Sequence, residues 1–315
     1  MLPARASSGS LGQAFAGAPR VFALPLYRNT SVLIDTSADL SNPRDSATVV
    51  LLREGATGPE VFLLQRSGLS DSFGKAYVFP GGKLDTHDSA AATLDALDTP
   101  TDALALRMGE PTLTPALAAG LYVAALRELF EEAGVLLSSN STRPAGAAPA
   151  DWQTWLASTQ AHLQASALVP WSRWITPRMA ALSKKRFDTR FFLTLTPADQ
   201  IASHDNFEAT ASIWLPPREA LQRYYSGEIE MAPPQIMSLA HLARYTTAHD
   251  ALQAARQQTP PCICPESFTE DGNVVLCYPG DPRHSIAARA LPGPTRLTIH
   301  NGRFVPEGGM ESLWN

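Results

Sequence analysis

The sequence predicts an α/β protein. Two short strand patterns, Thr48–Leu52 and Val61–Leu64, flank a Gly-containing turn over 54–60. An apolar run at helical spacing (Leu117, Leu121, Ala124, Ala125, Leu126, Leu129, Phe130) follows and ends at Gly134. Beyond residue 227 come one long helical pattern, Ile236–Gln257, and two more strand patterns, Asn273–Tyr278 and Thr295–His300.

In chain order, residues 1–34 hold no acidic side chain but carry Arg5, Arg20 and Arg28 in an Ala- and Ser-rich context. That composition suits a mitochondrial transit peptide or a plain N-terminal extension. Strand-like Val21–Leu26 and Val32–Ile34 favour the extension, so a cytoplasmic protein is expected. The strand pair leads through Arg66 to Tyr77-Val78-Phe79-Pro80-Gly81-Gly82, where Pro and two glycines end the strand. Such glycines make a turn, or let the main chain approach a phosphate or present a carbonyl to a metal. A segment rich in Ala, Asp, Thr and Pro, from Ser89 to about Pro115, reads as an insertion ahead of the helix.

That helix ends in Arg127-Glu128-Leu129-Phe130-Glu131-Glu132-Ala133-Gly134-Val135. Residues three and four apart share a helix face, so Glu128, Glu131 and Glu132 converge. One reading is a solvated face with Arg127 paired to Glu131, worth roughly 0.2–0.5 kcal/mol. The other is a hard divalent cation, Mg²⁺ or Mn²⁺, which takes oxygen ligands.

Composition excludes other classes. With 315 residues, 44% hydrophobic, a sizeable core is available. The formal charge of −5 and absence of a basic stripe argue against a nucleic-acid partner. No apolar run approaches the ~20 residues of a membrane span. Cys262, Cys264 and Cys277 are too few and wrongly spaced for a disulfide framework or a four-ligand zinc site, so free thiols are expected.

Gly82, Asp88 and Arg127–Val135 together resemble the Nudix hydrolase box, G-x5-E-x7-R-E-U-x-E-E-x-G-U, where U is apolar. Asp88 stands where the box has Glu, and residues 89–126, 38 of them, stand where it has 7. The interruption is similar to that of the subgroup resembling mammalian mitochondrial or peroxisomal coenzyme A diphosphatases. Leu63–Leu69, Val78–Gly82, Trp171–Pro177, Lys185–Phe192, Ala232–Gln235, Val274–Asp281 and Arg296–Phe304 extend the likeness over roughly 45–305.

The resemblance implies an α/β/α sandwich around a mixed sheet, with the interruption looped out before the catalytic helix. It divides the chain into an extension (1–44), a Nudix domain (45–226, insertion about 89–119) and a C-terminal α+β part (227–315). The last either packs on the core or forms a homodimer contact. The implied activity is metal-dependent hydrolysis of the pyrophosphate of coenzyme A or acyl-coenzyme A. The alternatives are a pyrophosphatase for ADP-ribose or nicotinamide dinucleotides, and a catalytically silent ligand-binding regulator. Glu128, Glu131, Glu132 and the Gly82 carbonyl are the implied metal ligands, and Arg127 would orient Glu131. Glu208, just ahead of a strand Ala211–Leu215, is the candidate for a further ligand or general base. Gly81, Arg66 and Arg186 are the candidate substrate contacts, since a guanidinium suits phosphate.

Overall fold

The computed structural model describes residues 42–67, 75–139, 152–178, 186–204 and 209–315. The expectations for residues 1–34 and for Glu208 lie outside them. β1 (Arg44–Gly55) and β2 (Gly58–Arg66) form a hairpin whose register runs from Leu52↔Val61 to Gly55↔Gly58. Its turn is tighter than the sequence suggests, since pairing continues to Gly55↔Gly58 and leaves residues 56–57 as the turn. Arg53 and Glu60, directly opposite each other, form a 2.6 Å ion pair across the strands. Towards the other end of β1 the two strands splay. β3 (Tyr77–Val78) and β4 (Gly81–Lys83) fill the gap, β3 pairing with β2 and β4 with β1.

The interruption is folded. A 3₁₀ turn (Thr86–Ser89), α1 (Ala91–Leu94) and α2 (Thr101–Met108) precede the long α3 (Pro115–Ala133). α3 begins earlier than its apolar pattern because the Thr114 hydroxyl accepts the Leu117 amide (3.3 Å) and Pro115 occupies the first turn. Residues Ala118–Leu126 are buried on every side, since the insertion packs over the face turned away from the sheet. The insertion therefore covers α3 where looping out was expected.

α4 (Trp152–Thr159), β5 (Val169–Ile175), β6 (Phe187–Leu195) and β7 (Ala209–Leu215) complete the central part. On its far side lie α5 (Pro217–Ser226), α6 (Pro233–Leu242) and α7 (Ala248–Arg256). The single helix expected over Ile236–Gln257 is broken at residues 243–247. The Thr247 side chain accepts the Asp250 amide at 3.0 Å and starts α7 anew.

β8 (Cys262–Ile263) then pairs with β5, so among the described residues the main sheet has the order β3-β2-β1-β6-β5-β8, with β4 on β1 and β7 on β2. The β1–β6 and β5–β8 pairs are parallel and the rest antiparallel, the expected mixed sheet. Side chains of alternate parity face opposite layers. Val49, Leu51, Phe62, Leu64 and Phe192 pack towards α2, α3 and α4; Val50, Leu52, Val61, Leu63 and Leu193 pack towards α5, α6 and α7. Both layers are thus filled from one run, Val49–Leu52, each member wholly buried and worth about 1.5–3 kcal/mol. A second, antiparallel sheet of β9 (Glu266–Glu270), β10 (Asn273–Cys277), β11 (Arg296–His300) and β12 (Arg303–Pro306) sends Leu276, Leu297 and Phe304 into the same core. Cys262, Cys264 and Cys277 are free thiols. Among the described residues no helix is long and apolar enough to cross a membrane.

Candidate functional site

The site grows out of the splay between β1 and β2. The Val49 amide donates to the Pro80 carbonyl (2.8 Å), so the chain turns at Gly81-Gly82 directly against β1. A Cβ on Gly81 would sit 2.7 Å from Thr48 Cα, and one on Gly82 would sit 2.5 Å from Glu128 Cδ. At Gly81 the backbone leaves no space for a side chain, whereas at Gly82 a methyl group would fit only by displacing the Glu128 carboxylate. The glycines are where they are because main chain meets main chain on one side and a carboxylate on the other.

α3 completes the arrangement from its own layer. The Gly81 amide donates to Glu132 Oε2 at 2.8 Å, and Glu128 rests on Gly82. Arg127 ties the rest together. Its Nε and Nη2 donate to the two oxygens of Asp88, both at 2.9 Å. Its Nη1 donates to Glu128 Oε1 (2.8 Å) and Glu131 Oε2 (3.0 Å), and Nη2 also reaches the Lys83 carbonyl (3.1 Å). Burial works against the Arg127 charge, but the bond to Asp88 and the charges of Glu128, Asp88 and Glu131 outweigh it and hold the guanidinium above its ordinary pKa. The sequence pointed to Glu131 as the partner of Arg127. The dominant partner is Asp88, whose side chain is fully buried while that of Glu131 is 35% exposed.

One guanidinium therefore serves Asp88, Glu128 and Glu131, and Glu132 adds a fourth carboxylate held by a main-chain amide. Negative charge is in surplus, and every donor is a hard oxygen, which suits Mg²⁺ or Mn²⁺. Among the described residues no three His, Cys, Asp or Glu side chains gather on one point as a metal-holding group. Arg127 draws Glu128 and Glu131 together, while the Gly81 amide donates to Glu132. The donor chemistry fits a hard cation.

The remaining candidates lie elsewhere on the sheet. Arg66 is exposed at the end of β2, beside a register shift, and pairs with Ala209, the residue after Glu208. Arg186 is buried ahead of β6, with Nε donating to the Thr176 carbonyl (3.1 Å). Asp188, the sequence-suggested partner of Arg186, is engaged by Arg173 at 2.6 Å and Arg190 at 3.3 Å.

Two features escaped the sequence reading. The Gln200 amide side chain accepts from the Leu136 N–H (2.8 Å) and donates to its carbonyl (2.7 Å), while the Ser203 amide donates to the Ala133 carbonyl (3.0 Å). The segment leading towards Glu208 is thereby fastened to the end of α3. At the far end of the insertion, Glu110 meets Arg190 (3.0 and 2.9 Å) and Arg173 (2.8 Å), with Asp45 also on Arg190. Separations of 64 and 80 residues left no local pattern to find either.

Residues 28–242 match the family model described as the NUDT19 Nudix domain, a span that includes both halves of the box. The chain is 29% identical over 345 residues to the acyl-coenzyme A diphosphatase NUDT19 of Gallus gallus, covering 84% of this chain and 87% of that protein. It is 30% identical over 277 residues to the human protein of the same name, covering 72% of each. Among solved structures, a NUDIX hydrolase from Alicyclobacillus acidocaldarius is 26% identical, with a TM-score of 0.55 over 68% of this chain and 97% of that one. With the two box segments in contact and the match running across them, the chain belongs to the NUDT19 Nudix domain family of Nudix hydrolases.

Proposed function

We propose that this enzyme hydrolyses the pyrophosphate of coenzyme A or acyl-coenzyme A, giving 3′,5′-ADP and 4′-phosphopantetheine or its acyl form, with Mg²⁺ or Mn²⁺ as cofactor. One observation carries the reading: Gly81-Gly82 and Glu128/Glu132 touch across the interrupted box, through the Gly81–Glu132 hydrogen bond and the seat of Glu128 on Gly82. The names of the avian and human relatives supply the substrate class.

Glu128, Glu131, Glu132 and the Gly82 carbonyl would hold the cation. When bound it would stabilise the charge that builds on phosphoryl oxygens as water attacks phosphorus. The chain's own residues would do the rest. Arg127, fixed by Asp88, holds Glu128 and Glu131 in place and is a positioning residue. Glu131 is the candidate to take the proton of the attacking water, being the most exposed of the Arg127 partners. Glu208 is proposed for a second acidic contact, with the anchoring of Gln200 and Ser203 on the end of α3 as support. The Gly81 loop and Arg66 are proposed to contact phosphate, Arg66 being exposed and next to Ala209 across the sheet. Arg186 is proposed for the same role on charge alone, with one donor already used by Thr176.

The test is a substrate panel of coenzyme A, an acyl-coenzyme A, ADP-ribose and a nicotinamide dinucleotide, with Mg²⁺ or Mn²⁺ and product identification. Coenzyme A compounds should turn over fastest, and EDTA should abolish the reaction. A dominant rate on ADP-ribose would remove the substrate assignment. No metal-dependent turnover on any member would favour a ligand-binding regulator.

A further inference from the structure

A cavity of about 320 Å³ lies away from the carboxylate cluster, where the insertion meets the C-terminal helices. It is lined by Arg107 at the end of α2, by Arg256 and Gln258 at the end of α7, and by Ser166. Leu168, Val169, Pro170 and Ala255, all buried, line it on the apolar side. Its size falls at the low end of the ~300–1,000 Å³ of small-molecule pockets, and its lining is divided evenly between polar and apolar residues, as a ligand with a charged head and an apolar part would need.

The two arginines give the cavity its chemistry. Each lies in the last turn of a helix, where a cation is favoured, and that accounts for each one separately. It does not account for their meeting at one cavity, in an acidic protein, with no carboxylate ion-paired to either among the described residues. The carboxylate near the rim, Asp98, is already satisfied by the Ser166 amide (3.0 Å), the Ser166 hydroxyl and Thr99 Oγ1 (2.9 Å). The wall is also closely fitted. A Cβ on Gly109, two residues after Arg107, would come within 2.5 Å of Thr259 Cγ2, so the ends of α2 and α7 touch beside the cavity.

We propose that this cavity is a binding site for a small anionic amphiphile, its carboxylate or phosphate paired with Arg107 and Arg256 and its apolar part on Leu168, Val169 and Ala255. At the ~30 Å³ that a water-sized group takes up, the space holds about ten such groups, the size of a medium-chain carboxylate. The site is independent of the hydrolytic reading. It would also place a ligand three residues from Glu110, the group that fixes the insertion to Arg173 and Arg190.

Octanoate is the probe, with inorganic phosphate and octanol as separate arms, read by calorimetric titration and by the thermal midpoint of the full chain. Octanoate should bind saturably and raise the midpoint by a few degrees, with phosphate and octanol each at least tenfold weaker. The Arg107→Gln/Arg256→Gln double variant should lose octanoate binding tenfold or more. Both side chains are exposed, so the variant should keep the parent midpoint without ligand, and circular dichroism checks this. Equal binding of phosphate would overturn the amphiphile, and octanoate binding unchanged in the double variant would overturn the site. No octanoate binding to the parent chain would do the same.

Discussion

Asp88→Asn separates a held guanidinium from an ordinary surface pair. Both Asp88 oxygens are used: Oδ1 by Arg127 Nε, Oδ2 by Arg127 Nη2 and by the Asp85 amide at 2.8 Å. The side chain is fully buried, and that of Arg127 is 13% exposed. Removing one partner of a buried pair costs ~3–5 kcal/mol because the other charge is left uncompensated. Here Arg127 keeps Glu128, Glu131 and the Lys83 carbonyl, so the loss should be smaller, about 2–3 kcal/mol. Glu131→Gln is the control. Its pair with Arg127 is the i,i+4 kind and one-third exposed, so it should cost at most ~0.5 kcal/mol. Urea unfolding followed by tryptophan fluorescence measures both. Hydrolysis should also fall in Asp88→Asn, with kcat affected more than KM, since the guanidinium that spaces Glu128 and Glu131 loses its anchor. An Asp88→Asn cost below about 1 kcal/mol, or equal to that of Glu131→Gln, would refute the claim that Asp88 fixes Arg127.

Three further outcomes follow from the same geometry. Glu132→Gln should keep the fold, its carboxamide still accepting the Gly81 amide, while hydrolysis drops on the order of 10²-fold or more in a kinetic assay. Gly82→Ala should leave the midpoint within ~1 kcal/mol of wild type yet displace Glu128; unchanged kcat would show that the close contact is not needed. His241 is stacked on Trp171 at 5.2 Å, and burial, with Arg244 nearby, pushes its pKa down to about 4. The unfolded chain takes up that proton near pH 6.5, so stability is fully present above 6.5 and declines as pH falls towards 4, by about 3 kcal/mol in all. Urea midpoints at pH 7.5 and 4.5 should show the decline, and His241→Phe should flatten it.

What the sequence could and could not show follows the range of each interaction. Glu128, Glu131 and Glu132 share a helix face by a rule acting over four residues, and the Gly81-Gly82 turn is equally local. Both were legible. That the two meet across the interruption depended on the family likeness, because nothing in the intervening residues specifies the return path. The structure shows what closes it: Asp88 on Arg127, and Gly120, whose missing Cβ leaves space for Ser89 against the helix. The break between α6 and α7 was hidden because apolar spacing continues through it, while the Thr247 cap depends on one hydroxyl. Glu110, Arg173 and Arg190 were invisible for another reason. Charged residues far apart in sequence give no sign that they will be buried together.

The insertion is better understood as part of the environment of α3 than as an interruption ahead of it. In an uninterrupted box, a helix face bearing several carboxylates would expose its first turns to water. Here Leu104 and Met108 of α2 cover those turns, so Ala118–Leu126 can be apolar all round. Leu97 bridges to Leu163, which bridges in turn to Ser138 just past the helix, so the strap is tied to the chain leaving α3 as well as to the chain entering it. Glu110 then fixes the far end to two arginines of the sheet. Three anchors at the start, middle and end of the strap leave it little freedom to open independently. If so, cutting any one of them should loosen α3 as a whole. Hydrogen exchange offers the direct measurement: Glu110→Gln should raise exchange at the amides of α2 and α3 together. Faster exchange confined to α2, with α3 unchanged, would mean that the strap merely lies on the helix and does not hold it.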